Sequence, residues 1–278
     1  MLKMNIPKFS KLPSAIAIDL DGTLLNSQKQ LSERNRTAIE KCIERGIPII
    51  LNTGRSERAT RRPIGDDLAN ACSLVMANGA NARGSPPLSG FIREAISSEV
   101  AKNIVELALS IGSTFRVTVE IDGFDFGTNI QLSPEKLWEL NYATPDMVMS
   151  LDEAIARIPT KITVNGFGQD LSAVGQEIFR QFGKFISVIP SDNRTFLSIV
   201  SNRTSKHEAL QKLLSSRKIQ LDSVLAFGDD LPDLDMLQTC GIPVAMANAY
   251  PEIKAVCLYH TASNDEDGVA IVLEQMFV

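Results

Sequence analysis

The chain has 278 residues, of which 44% are hydrophobic and 22% are charged, and its formal net charge is −5. Single hydrophobic cores usually divide beyond about 250 residues, so we expect one full domain with a smaller domain inserted into it. The acidic balance lacks the Lys/Arg surplus that neutralises phosphates of DNA or RNA, which argues against nucleic acid as a partner.

Short apolar runs rich in Val, Ile and Leu predict the first set of strands. They cover residues 15–18, 47–51, 74–76, 224–227, 244–246 and 256–259. Such runs suit parallel strands that are buried on both faces. Residues 31–45, between the first two runs, carry apolar side chains at helical spacing and are followed by Gly46, which favours a helix. The alternation of strand and helix predicts an α/β fold.

The middle of the chain follows a different pattern. Residues 115–121 alternate apolar and polar side chains before the turn signal Asp122-Gly123, which predicts a hairpin strand with one solvated face. Helices are predicted at 98–111 and 171–182, and strands at 161–164, 185–189 and 196–200. We therefore expect an α+β domain at 83–200, inserted into an α/β core formed by 1–82 and 201–278.

Polar side chains follow the predicted core strands. The residues concerned are Asp19, Asp21, Thr53, Asn78, Asp229 and Asn248. One polar residue after a strand is usually a turn residue. Several together point to a binding site, because ligands of open parallel sheets lie beyond the carboxyl ends of the strands.

Two carboxylates lie close together after the first strand. Asp19 and Asp21 point to the same side of an extended chain, and Gly22 then lets the backbone turn. A divalent cation would stabilise them, with Mg²⁺ the simplest candidate. Asp19 is placed to attack phosphorus and Asp21 to transfer protons. A solvated Asp-Gly turn is the alternative interpretation.

Later segments offer further groups for such a site. Asp229 is a candidate metal ligand, and Asp233, in the first turn of the next helix, is expected to orient it from outside. Lys206 lies in a first helical turn, where the dipole disfavours cations, so it indicates a bound anion. Thr53 and Gly54 suit a phosphate cradle. Taken singly, these features also fit an acidic helix start and an exposed lysine.

The ordered motifs resemble those of the haloacid dehalogenase superfamily, and most closely its Cof-type phosphatases. The matching segments are Asp19-Leu20-Asp21-Gly22-Thr23, Thr53-Gly54-Arg55, Asn78-Gly79-Ala80, Lys206, Gly228-Asp229-Asp230-Leu231-Pro232-Asp233, Ala247-Asn248-Ala249 and Asp265-Glu266-Asp267-Gly268. The resemblance implies a Rossmann-like core with an inserted type IIB α+β cap, and Mg²⁺ as cofactor.

The resemblance also implies a role for each matched residue. Asp19 would be nucleophile and metal ligand, Asp21 the acid/base with its carbonyl on Mg²⁺, and Asp229 the remaining protein ligand. The phosphoryl oxygens would be held by the Leu20 amide, Thr53, Gly54 and Lys206. The implied reaction is hydrolysis of a small phosphorylated metabolite, such as a sugar phosphate or a phosphorylated cofactor or precursor.

One position departs from the family pattern. Pro232 stands where this branch typically carries an Asn that contacts phosphate, so we expect weaker phosphate binding. A phosphomutase, or a binding protein that kept the fold without catalysis, remain alternatives. The substrate and the oligomeric state stay open at this point.

Location and redox state follow from simpler features. Residues 1–14 contain no apolar run that could serve as a signal peptide, and no stretch approaches the length of a membrane span. The cysteines Cys42, Cys72, Cys240 and Cys257 occur singly, without the spacing of a zinc site or a disulfide framework. We therefore expect a cytoplasmic protein with reduced, mostly buried thiols and no membrane partner.

Overall fold

The computed structural model describes residues 4–277. These residues form two compact units. The first comprises the described chain up to Thr53, Thr60–Phe91, and the chain from Lys206 onward; the second comprises Gly54–Ala59 and Ile92–Ser205.

The strands of the described chain run, in order, β1 (Ala15–Ile18), β2 (Ile49–Asn52), β3 (Ser73–Met76), β4 (Asn81–Arg83), β5 (Phe91–Arg93), β6 (Arg116–Glu120), β7 (Phe126–Thr128), β8 (Val148–Met149), β9 (Lys161–Asn165), β10 (Ile186–Ser191), β11 (Phe196–Ser201), β12 (Val224–Gly228), β13 (Ile242–Ala245) and β14 (Tyr259–His260).

The α-helices are α1 (Glu33–Glu44), α2 (Glu57–Ile64), α3 (Asp66–Ala71), α4 (Ser98–Ile111), α5 (Pro134–Asn141), α6 (Leu151–Ala156), α7 (Ser172–Phe182), α8 (Lys206–Ser215), α9 (Leu234–Thr239), α10 (Pro251–Val256) and α11 (Gly268–Glu274). Short 3₁₀ helices include Ala77–Gly79 and Leu231–Asp233. No helix within residues 4–277 combines the length and apolar character needed to cross a membrane.

An eight-stranded sheet has the order β14-β13-β12-β1-β2-β3-β4-β5. The strands from β14 through β13, β12, β1 and β2 to β3 pair in parallel. Every residue of β1, β2, β3 and β12 is buried. Burial on both faces explains why these strands read as continuous apolar runs. The predicted α/β class with a parallel core sheet is confirmed. Strand β4 runs antiparallel to β3 after a tight turn, so the sheet is mixed at one side.

The second unit has its own six-stranded sheet in the order β10-β11-β9-β6-β7-β8. Most of its pairs are antiparallel, as in β6 with β7 and with β9. One face packs against an apolar cluster that includes Val117, Val119 and Ile162 together with residues of α4, α6 and α7. This is the α+β arrangement that the alternating pattern predicts.

Two local predictions are wrong. The residues expected on a solvated face of β6 are buried, with Arg116 and Glu120 each 8% exposed. Glu120 is covered by Arg58, which binds its carboxylate and also donates to the carbonyl of Phe124. The strand predicted at 256–259 is only Tyr259–His260, since helix α10 begins at Pro251 and extends to Val256. The four cysteines are free and buried, as expected.

Candidate active site

The central strands bring the predicted polar residues to one edge of the first sheet. The amide of Asp19, directly after β1, donates to the carbonyl of Phe227 in β12 at 3.2 Å. The amide of Thr53, directly after β2, donates to the carbonyl of Val75 at 2.8 Å, and Asn78 then donates from its amide to the Thr53 carbonyl. The ladder of parallel strands therefore sets these chain segments side by side.

A buried cluster of carboxylates surrounds one ammonium group. Nζ of Lys206 lies 2.6 Å from Oδ1 of Asp19 and 2.7 Å from Oδ1 of Asp233. Asp19, Asp229 and Asp233 each offer a carboxylate oxygen, and these three atoms lie within 4.8 Å of one another. Asp19 and Lys206 are each 5% exposed and Asp233 is fully buried. One lysine cannot neutralise three carboxylates, so the cluster favours a further cation.

The cluster shifts the protonation of its members. Burial raises the pKa of Asp229 to about 7, although a hydrogen bond from Thr23 opposes this, and Asp233 adds to the rise. Burial also raises the pKa of Asp19, with Asp233 acting in the same direction and Lys206 against it. Burial alone would lower the pKa of Lys206, but the two carboxylates it contacts outweigh this and raise it. Lys206 is therefore charged at neutral pH.

The turn after β1 approaches Asp229 closely. Gly22 has φ +80°, and a Cβ at this position would overlap the Asp229 carboxylate. Thr23 donates from Oγ1 to Oδ1 of Asp229 at 2.7 Å. The carboxamide of Asn248 donates to the Gly22 carbonyl at 2.7 Å, and its oxygen accepts from the amide of Asn264 at 3.1 Å. These contacts hold the turn and Asp229 in place.

Sequence reasoning assigned no contact to Thr23 or Asn248 at this site. Both lie inside the motif segments named above, and that position was the available signal. Asn52, the last residue of β2, was missed entirely. Its carboxamide donates to the backbone carbonyl of Lys206 at 3.1 Å, at the start of α8. It fixes the helix end that carries the ammonium group, and its position directly after the apolar run 47–51 was the available signal.

Asp21 stands outside the carboxylate cluster. Its Oδ1 lies 2.9 Å from Nζ of Lys29, and its side chain is 37% exposed. This partial exposure suits a group that exchanges protons with solvent or substrate. The family resemblance implies that the backbone carbonyl of Asp21, and not this carboxylate, binds the metal.

The remaining predicted phosphate contacts are placed as follows. Leu20 is buried, and its carbonyl accepts from the amides of Leu24 and Leu25, which shapes the turn. Thr53 is 1% exposed. Gly54 belongs to the second unit, where its carbonyl accepts from Nζ of Lys161 at 2.8 Å. Contact of these three residues with phosphate stays a prediction.

The donor set fits a hard divalent cation. The three clustered residues supply only carboxylate oxygens, which are the ligands that Mg²⁺ and Ca²⁺ prefer. Both carboxylate oxygens of Asp233 already accept hydrogen bonds within the protein. Its Oδ2 accepts from the backbone amides of Asp229 and Asp230 at 3.1 and 3.3 Å, and its Oδ1 accepts from Nζ of Lys206. Asp19 and Asp229 are therefore the carboxylates better placed to bind a metal directly.

Comparison with known proteins identifies the family of the chain. The chain matches the model of the haloacid dehalogenase-like hydrolase family over residues 16–273. It is 29% identical over 286 residues to the 5-amino-6-(5-phospho-D-ribitylamino)uracil phosphatase YwtE of Bacillus subtilis, and the match covers 94% of this chain and 97% of that protein.

Solved structures show the same fold. A haloacid dehalogenase-like hydrolase from Bacteroides thetaiotaomicron superposes with a TM-score of 0.80 at 27% identity, covering 96% of this chain and all of that one. The subclass IIB sugar phosphatase BT4131 superposes with a TM-score of 0.72 at 20% identity, covering 94% and 98% of the two chains. The second similarity concerns the fold alone.

Proposed function

Because the chain belongs to the haloacid dehalogenase-like hydrolases and is a phosphatase of that family, we propose that it hydrolyses a small phosphorylated metabolite through an aspartyl phosphate on Asp19. One observation carries the proposal. The buried carboxylate of Asp19 contacts Nζ of Lys206, and it has an oxygen within 4.8 Å of a carboxylate oxygen of Asp229. A nucleophile at this position has a fixed cation and a candidate metal ligand beside it.

The chemistry divides into two displacements. In the first, an oxygen of Asp19 forms a bond to phosphorus as the ester bond breaks, and Asp21 gives its proton to the departing alcohol. In the second, Asp21 takes a proton from water, the water oxygen bonds to phosphorus, and the bond to Asp19 breaks. Inorganic phosphate leaves, and both aspartates return to their starting state.

Charge on the phosphoryl oxygens has to be balanced throughout. Lys206 supplies a permanent positive charge, and the amide of Leu20 with the Thr53 hydroxyl and the Gly54 amide would hold the oxygens in position. A Mg²⁺ ion held by Asp19, Asp229 and the Asp21 carbonyl would supply further neutralisation when bound. Asp233 orients the Asp229 and Asp230 amides and Lys206.

The names of two similar proteins support a substrate class. YwtE is named a 5-amino-6-(5-phospho-D-ribitylamino)uracil phosphatase and BT4131 a sugar phosphatase. We extend this class to the chain as sugar phosphates or phosphorylated cofactors and their precursors. We propose that the second unit corresponds to the inserted α+β cap domain, which the sequence predicts at 83–200.

Phosphate release from a panel of phosphorylated metabolites tests the proposal. We expect release with Mg²⁺, none with EDTA, and a loss of at least about 10³-fold in Asp19→Asn, which lacks the nucleophile. Borohydride reduction during turnover should convert Asp19 to homoserine, detected by mass spectrometry. Isomerised phosphoester without free phosphate would instead indicate a phosphomutase. Ligand binding without any turnover would indicate a binding protein.

A further inference from the structure

Asparagine side chains from separate segments of the first unit hold the turn that follows β1. Their carboxamides donate to backbone carbonyls in the pairs Asn248 with Gly22 at 2.7 Å, Asn35 with Leu24 at 3.2 Å, and Asn264 with Leu25 at 2.9 Å. The accepting carbonyls all lie within residues 22–25, directly after Asp21. Side-chain donors therefore fix several peptide planes of this turn.

The asparagines are themselves oriented by hydrogen bonds to their oxygen atoms. Oδ1 of Asn248 accepts from the amide of Asn264 at 3.1 Å, and Oδ1 of Asn35 accepts from the amide of Ala270 at 2.9 Å. Asn35 and Asn264 are buried, whereas Asn248 is exposed. Because a carboxamide donates and accepts at the same time, Asn248 joins the turn to the segment that carries Asn264.

This later segment also holds the loop that continues from the turn. Its carboxylates accept hydrogen bonds in the pairs Asp265 with the amide of Ser27 at 2.7 Å and Asp267 with Oγ of Ser32 at 2.6 Å. Lys29 lies between the two contacts, and its Nζ is 2.9 Å from Oδ1 of Asp21. The segment after Asn264 thus supports the loop that brings Lys29 to Asp21.

Asp21 depends on the neighbouring backbone for its position. Its side chain is 37% exposed, so packing restrains it little, and its ion pair with Lys29 is weak because water screens exposed charges. On one side the backbone is fixed by the strand ladder at Asp19. On the other side is Gly22, which has φ +80° and no side chain to limit its rotation. The carboxamide of Asn248 supplies the restraint that this glycine lacks.

We infer that Asn248 is a positioning residue for the reaction: by holding the Gly22 carbonyl, it keeps the Asp21 carboxyl group where it protonates the departing alcohol. The inference rests on the proposed function, which assigns that proton transfer to Asp21. Proton transfer by a positioned group contributes about 10²- to 10⁴-fold to the rate and requires hydrogen-bond distances of about 3 Å. Without the contact from Asn248, part of this factor is lost.

The leaving group of the ester distinguishes this role from a role at the metal site. The turn also contacts Asp229 through Thr23, so a lower rate by itself has two explanations. Phenyl phosphate releases a basic phenolate that needs a proton, whereas p-nitrophenyl phosphate releases a phenolate that is stable without one. A displaced Asp21 therefore slows the first ester more than the second. A disturbed metal site slows both, because the metal balances phosphoryl charge in either ester.

The test measures kcat/KM for both esters with the full chain and Mg²⁺. Asn248→Ala should lower the ratio of kcat/KM for phenyl phosphate over p-nitrophenyl phosphate by about 10-fold. Asp21→Asn should lower the same ratio by at least as much. In the double variant the ratio should fall no further than in Asp21→Asn alone, because positioning has no effect once the acid is absent.

Asn5→Ala is the matched control. Asn5 is also exposed, belongs to the first unit, and donates from its carboxamide to a backbone carbonyl, that of Leu258, at 3.0 Å. Its removal should leave the ratio unchanged. Asn248→Gln keeps the carboxamide on a longer side chain and should retain part of the ratio that Asn248→Ala loses.

An unchanged ratio in Asn248→Ala, while Asp21→Asn lowers it, would overturn the inference and leave the proposed function intact. A further fall of the ratio in the double variant would also overturn it. If Asn248→Ala does not fold, Asn248→Asp, which keeps the side-chain shape and loses the donor, gives the same readings. An unchanged ratio in Asp21→Asn would instead show that the proposed proton transfer is wrong, and the inference would fall with it.

Discussion

Nζ of Lys206 lies 2.6 Å from Oδ1 of Asp19, and both residues are almost fully buried. The ammonium thus sits against the proposed nucleophile before any substrate binds. It balances part of the carboxylate charge in the free protein and is placed to balance phosphoryl charge during the reaction. Removing it should therefore affect both stability and rate.

We predict that Lys206→Met lowers kcat/KM by about 10²- to 10³-fold, a loss typical of removing one preorganised charge-stabilising group. It should also destabilise the metal-free protein by about 3–5 kcal/mol, because breaking a buried pair leaves carboxylates without their counter-charge. Steady-state kinetics and urea unfolding measure the two effects. Lys212→Met, later on the same helix and exposed, is the control. Rates within threefold of the unmodified protein would contradict the role of Lys206.

A second prediction concerns pH. Burial raises the pKa of Asp229 to about 7 from an ordinary value of 3.8. The folded protein therefore holds this proton more tightly than the unfolded chain. Without metal, the free energy of unfolding should fall as pH rises from about 4 to about 7.

Unfolding midpoints in EDTA at pH 5, 6, 7 and 8 measure this dependence, and Asp229→Asn should weaken it. Added Mg²⁺ should stabilise the protein more at pH 8 than at pH 5, because the metal competes with protons for the same oxygens. Equal stabilisation by Mg²⁺ at both pH values would mean that these carboxylates do not bind the ion.

A third prediction concerns Gly22. A methyl group there would overlap the Asp229 carboxylate, and φ is +80°. Gly22→Ala should therefore displace Asp229 and weaken Mg²⁺ binding by about 10-fold or more. Gly46→Ala is a matched control, because Gly46 has φ +75° but no atom within 4 Å of the added Cβ. Gly46→Ala should introduce the backbone strain alone. It should lower the free energy of unfolding by about 1 kcal/mol and leave the Mg²⁺ affinity unchanged. Similar Mg²⁺ affinities for the two variants would contradict the explanation.

Much of the core could be predicted because its signals are local. Asp19 and Asp229 directly follow apolar runs, and parallel strands bring such ends together wherever the runs lie in the sequence. The contacts of Asp233 were harder to foresee. Asp233 was expected to orient Asp229, and it also contacts Lys206, which depends on the 3₁₀ turn Leu231–Asp233 and on the position of helix α8.

The second unit was less predictable for a related reason. Alternation along β6 identified the two faces correctly, but whether the polar face is solvated depends on segments far away in sequence. Arg58 covers Glu120 from 62 residues upstream. The burial of Arg116 is therefore apparent only in the folded structure, although its place on the polar face could be deduced from its spacing.

The last prediction concerns Pro232, which stands where related phosphatases typically carry a phosphate-contacting Asn. Pro232 occupies the first turn of the 3₁₀ helix Leu231–Asp233, where its missing N–H costs nothing, so Asn can replace it without a backbone change. Pro232→Asn should lower KM by about 3- to 10-fold, the effect of one added hydrogen bond, with little change in kcat. Pro251→Asn, at the start of helix α10, is a control for loss of proline at a helix start. An unchanged or raised KM in Pro232→Asn would show that phosphate affinity does not depend on this side chain.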